Sequence, residues 1–109
     1  MLYLSNSFSL GMIPEQATII VRSKSIEGVK SILKMRKFTS IVGHKDIAEI
    51  MSKMLETPVA FNRQSVSLTY YDDEMIVAQY IGPRLPEGTT ELPEDAKIEY
   101  RMISLRKYE

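Results

Sequence analysis

Apolar and polar residues alternate with two different periods along this chain, and the switches between them mark out its elements. Met1 to Leu4 is a short apolar strand that opens into the polar stretch Ser5-Asn6-Ser7-Phe8-Ser9, after which Gly11 and Pro14 mark a loop. Ala17 to Arg22 is compact and β-branched, the composition of a buried strand. Ser23 and Ser25 can cap a following helix that carries Ile26, Val29, Ile32 and Leu33 on one face, although Gly28 weakens it. After His44 the helical period is clearest: Ile47, Ile50, Met51, Met54 and Leu55 recur at i, i+3, i+4, i+7 and i+8, and Pro58 ends the run. The two methionines of that stripe read as core filler.

The period then shortens to two. Ser65 to Tyr71 alternates Val66, Leu68 and Tyr70 against Ser65, Ser67 and Thr69. Asp72-Asp73-Glu74 supplies a turn and Glu74 to Ile81 returns as a strand, so the pair predicts a hairpin. The stretch from Gly82 to Thr90 holds two prolines and two glycines and predicts a surface loop. Leu92 to Ala96 predicts one helical turn. Lys97 to Lys107 predicts a long final strand, with Ile98, Tyr100 and Met102 on one face and Ile103 and Leu105 on the other. The sum is an α/β chain: a mixed sheet of about five strands with helices packed on it, and one domain spanning residues 1–109.

Composition narrows the chemistry. Fourteen basic residues balance fourteen acidic ones, so net charge gives no argument for a nucleic-acid coat or a membrane surface. Lys24, Lys30, Lys34, Arg36 and Lys37 do cluster, which reads as a solvated basic face or as a contact for DNA or RNA. The absence of cysteine excludes disulfides and thiolate chemistry, and with one histidine no metal or other cofactor is expected. No run approaches the roughly 20 apolar residues of a membrane span, and there is no signal-peptide pattern, so a cytosolic location without membrane contact is expected.

Four polar clusters fall at the ends of elements: Ser5 to Ser9, Gly43-His44, Asn62-Arg63, and the Arg84 to Glu87 loop with Gln79 just before it. In an open sheet such loops can converge on one crevice. Two readings fit His44. It can be a helix-start residue bonded locally, or a proton donor beside an anion held by the free amides of the next helical turn. Gly43 would let a ligand approach the backbone. Arg63 and Arg84 can grip phosphate, and Glu87 can orient Arg84. Asn6 and Ser9 fit either contacts to a sugar or base edge or ordinary turn chemistry.

Taken together, Leu4 to Ser9, Gly43-His44, Asn62-Arg63 and Arg84-Leu85-Pro86-Glu87-Gly88 give the chain a resemblance. It resembles a family of small proteins of archaeal viruses and plasmids that act as ring nucleases against type III CRISPR signalling. The resemblance implies a metal-independent phosphodiesterase that opens cyclic tetra-adenylate, working as a two-fold homodimer in the host cytoplasm. By it, His44 is the general acid, and Arg84 and Glu87 reach the site from the opposite subunit's loop. By it too, Asn6, Ser9, Gly43, Arg63 and Gln79 are ligand-binding positions. The chain departs from the pattern at Asp46-Ile47, where some relatives have Ser-Thr, and at Pro83 and Pro86 in the loop. A DNA- or RNA-binding module and a non-catalytic sponge for a cyclic nucleotide are the alternatives.

Overall fold

The computed structural model describes residues 1–107. Its strands are β1 (Leu2–Ser5), β2 (Ala17–Lys24), β3 (Thr39–Ser40), β4 (Glu74–Ile81) and β5 (Lys97–Lys107), with helices α1 (Ile26–Met35) and α2 (Lys45–Leu55). A short 3-10 turn covers Leu10–Met12. The strands form a single mixed sheet in the order β2-β5-β4-β1-β3. β1 runs parallel to β3 and β4, while β5 runs antiparallel to both β4 and β2. The carboxyl ends of β1, β3 and β4 therefore share one edge of the sheet, which is where ligand crevices form in open α/β sheets.

Alternation along the strands sorts the core into two layers. Leu2, Leu4, Ile76, Ala78, Tyr100 and Met102 face Val29 and Leu33 of α1 and Ile47, Ala48, Met51 and Leu55 of α2. The opposite sheet face carries Met75, Ile103 and Leu105, covered by Leu68 with Val66, Tyr70, Phe8 and Met12. The helix caps follow the sequence: Ser25 Oγ accepts from the Gly28 N–H at 3.0 Å, and α2 ends in a left-handed Glu56 two residues before Pro58.

Three expectations are corrected. Residues 65–71 form no strand with β4. Both edges of β4 are already taken by β1 and β5, so the alternating segment lies across the sheet's second face instead. Its period of two is kept, and Leu68 is buried, but its ladder is replaced by single bonds such as Leu68 N–H to the Met12 carbonyl at 2.7 Å. The turn after it is set by Asp73, whose carboxylate accepts from both the amide and the hydroxyl of Thr69. Second, β2 is not a buried strand: it is the sheet's terminal strand, paired only with β5, and Val21 is 54% exposed. Third, Leu92 to Ala96 makes a turn closed by the Ala96 N–H to the Pro93 carbonyl, not a helical turn.

Candidate functional site

The site is built from the three loops that leave the carboxyl ends of β1, β3 and β4. A cleft of about 790 Å³ lies among them, walled by Asn6, His44, Asp46, Ile47 and Tyr80, with Arg84, Leu85 and Glu87 on the loop side. His44, Arg84, Glu87 and Asn6, chosen from the sequence for separate reasons, thus line one cavity within one chain. By the family resemblance Arg84 and Glu87 reach the site from a partner's loop; within one chain they line the same cleft as His44.

His44 is the N-cap of α2. Its Nδ1 accepts from the Ile47 N–H at 3.2 Å, and its carbonyl accepts from the Ala48 N–H. A ring nitrogen that accepts carries no proton, so the hydrogen of the neutral ring sits on Nε2. The local, helix-start reading of His44 is therefore what the geometry contains, and it fixes the ring while leaving Nε2 as the free nitrogen.

The Gly43 amide is already engaged: its N–H donates to Asn6 Oδ1 at 3.0 Å, while Gly43 still lines an adjoining cavity. A Cβ placed on Gly43 would come within 3.2 Å of Arg63 Cγ. The glycine is there to let the Arg63 side chain pass, and Asn6 ties the end of β1 to the start of α2. Asn62 does similar work: its Nδ2 donates to the Ser40 carbonyl at 2.8 Å and its N–H to the Val42 carbonyl at 2.9 Å. Those bonds hold the backbone next to Arg63, which lies with Asn6, Gly43 and His44 on an adjoining cavity of about 510 Å³. Among the described residues, the amides at the helix start left without a partner are those of His44, Lys45 and Asp46.

The loop is held closed by several contacts. Leu85 packs against the main core, the Tyr80 hydroxyl donates to the Pro83 carbonyl at 2.6 Å, and the Thr89 N–H donates to the Pro86 carbonyl at 3.2 Å. Gly88, in the left-handed region at φ 84, donates its N–H to Asp46 Oδ2 at 3.1 Å. The departure at Asp46 thereby acquires a role, as the residue that ties the loop to α2. Arg84 and Glu87 are exposed, and among the described residues neither forms an ion pair.

Gln79 lies on the sheet face away from the helices, in a third cavity with Asn6, Phe8 and Arg101, and its Oε1 accepts from Arg101 Nη1 at 3.1 Å. Ser9 is not brought to any of these three cavities. It is exposed at the N-terminus of the 3-10 turn, where its carbonyl accepts from the Met12 N–H. Sequence reasoning missed Asp46 and Arg101 as site residues. Arg101 gave no local signal, since it sits in mid-strand and meets Gln79 only through the β4–β5 register.

The basic cluster is partly neutralised. Lys30 pairs with Glu56 at 2.9 Å and with Glu27 at 3.5 Å, and Arg36 pairs with Glu74 at 2.7 Å. The Glu56 carboxylate accepts a bond from Lys30, which holds its pKa below the ordinary value and raises that of Lys30. Among the described residues no helix is long and apolar enough to cross a membrane.

Comparison with known proteins places the chain. The family model described as STIV B116-like matches residues 2–102, so the chain belongs to that family. A curated relative, Uncharacterized protein 26 of Sulfolobus islandicus filamentous virus, is 29% identical over 89 residues, covering 81% of this chain and 74% of that protein. Among solved structures, B116 of Sulfolobus turreted icosahedral virus superposes with a TM-score of 0.79 at 21% identity, covering 94% of this chain and 97% of the other. That likeness establishes the fold: the mixed five-stranded sheet with two helices is shared.

Proposed function

We propose that this member of the STIV B116-like family is a metal-independent ring nuclease. It opens cyclic tetra-adenylate into two linear di-adenylates with 2′,3′-cyclic phosphate ends, acting in the host cytoplasm against type III CRISPR signalling. The observation that carries the reading is the convergence of His44, Arg84, Glu87 and Asn6 on one cleft at the carboxyl edge of β1, β3 and β4.

The chemistry needs few groups. A ribose 2′-hydroxyl lies beside its own phosphodiester, so the substrate brings the nucleophile and the protein aligns it. The 2′-oxygen bonds to phosphorus as the P–O5′ bond breaks; the hydroxyl proton passes to water, and His44 protonates the departing 5′-oxygen. Only an imidazolium can make that donation without becoming an anion. Its Nδ1 then carries a hydrogen and releases the Ile47 N–H, so the acid form of His44 gives up the helix cap. A phosphate at the helix start can accept the freed amide. Arg84 opposes the charge that builds on the phosphoryl oxygens, and Glu87, on the same cleft wall, completes the catalytic set.

One histidine per chain becomes two per site in a two-fold homodimer, matching the two-fold axis of a four-membered ring. Two opposite phosphodiesters are then cut, which accounts for two di-adenylates. The test is incubation with labelled ring in excess chelator, read by chromatography. Linear di-adenylate is expected; recovery of intact bound ring would indicate a sponge.

A further inference from the structure

The third cavity, about 390 Å³, lies on the sheet face opposite the helices and shares Asn6 with the His44 cleft. Its floor is apolar, from Val77 and Ile103, and the Phe8 ring stands at its side. Its polar lining is Asn6, Ser7, Gln79 and Arg101, the last two on neighbouring strands that pair Val77 with Arg101 and Gln79 with Glu99. Arg101 is diagonal to Gln79 across the ladder, within reach of a long side chain.

The bonding there is directional. Arg101 Nη1 donates to Gln79 Oε1 at 3.1 Å, and Arg101 Nη2 donates to Glu99 Oε2 at 3.3 Å. A guanidinium only donates, so the amide oxygen must face Arg101 and the amide NH2 must face elsewhere. With its oxygen turned to Arg101, Gln79 presents its NH2 as the end free to meet a ligand. An apolar floor with an aromatic flank suits a flat heterocycle.

We propose that Arg101 is a positioning residue for base selection: by holding the Gln79 oxygen it makes the cavity select a base that offers an unprotonated ring nitrogen. This rests on the ring-nuclease reading above. Adenine presents an accepting N1, whereas hypoxanthine, otherwise similar in shape, presents N1–H and meets donor with donor. Asn6 lines both cavities, so in this proposal a base in the third cavity adjoins a phosphodiester at His44.

The test is internal competition between cyclic tetra-adenylate and its hypoxanthine counterpart in one tube, read as the ratio of the two products. The ratio does not depend on how much of a variant is folded. The wild-type protein prefers the adenine ring, and Arg101→Met lowers that preference about tenfold. Arg101→Lys, which can still donate to the Gln79 oxygen, retains most of it, and Gln79→Met loses it as Arg101→Met does. An unchanged ratio in Arg101→Met, with ring opening intact, overturns the role of Arg101 and leaves the activity standing. Failure of the wild-type protein to open either ring overturns the activity itself and this inference with it.

Discussion

A pair of substitutions separates the observed cap of His44 from its proposed role as general acid. As N-cap it accepts from the Ile47 N–H through Nδ1, and as general acid it would donate through Nε2. His44→Asn keeps a side-chain acceptor of the kind most favoured at an N-cap, while it removes the proton donor. His44→Ala removes both. Loss of a cap costs about 1 kcal/mol, which in a domain of this size lowers Tm by about 4 °C. Loss of the acid costs about 10²- to 10⁴-fold in rate. Thermal melts and single-turnover ring opening should therefore diverge: His44→Asn melts near the wild-type temperature and His44→Ala several degrees lower, while both are equally slow. Ring opening by His44→Asn at the wild-type rate would refute the acid assignment. Equal melting of His44→Ala and wild type would refute the cap.

Two further outcomes follow from single contacts. Asp46 holds the Gly88 amide but places a carboxylate on the wall of the proposed phosphate site. Asp46→Asn, which can still accept, should bind the ring more tightly in calorimetry, and Asp46→Ala, which frees the loop, more weakly; the opposite order would sink the tie. The Tyr100 hydroxyl is buried with no hydrogen-bond partner among the described residues, and burial pushes its pKa up to about 12. The folded state then holds that proton more firmly than the unfolded chain, so stability is whole below about pH 10 and falls by about 2 kcal/mol as pH rises to 12. Tyr100→Phe should raise stability at neutral pH by about 1 kcal/mol and shrink the alkaline loss. Denaturant titration at pH 7 and 11 reads both, and a destabilised Phe variant would show that the hydroxyl has a partner.

Much of the fold was legible because burial imposes a period. The stripe Ile47, Ile50, Met51, Leu55 gave α2, and alternation gave β5 with its two faces assigned correctly. Residues 65–71 show where periodicity stops: it reports that one side of a segment is buried, not which edge is free to pair. β4 had none. β3 is two residues long and carries no periodic signal of its own. For the site, the residue types were readable but their convergence was not. It follows from the parallel direction of β1, β3 and β4, a property of the whole sheet. Gly43 is instructive in another way: the sequence suggests a close approach to its backbone, and the structure shows the Arg63 side chain as one group making that approach.

The central claim is that this chain's own site lets the substrate's 2′-hydroxyl open the ring. Its most direct test is the mass of the product formed from cyclic tetra-adenylate in ¹⁸O-labelled water with excess chelator. The account predicts di-adenylate ending in a 2′,3′-cyclic phosphate with no oxygen from solvent, since the new P–O bond is made by the ribose. Solvent oxygen in that cyclic phosphate, a 5′-phosphate end, or a ring recovered intact would contradict it.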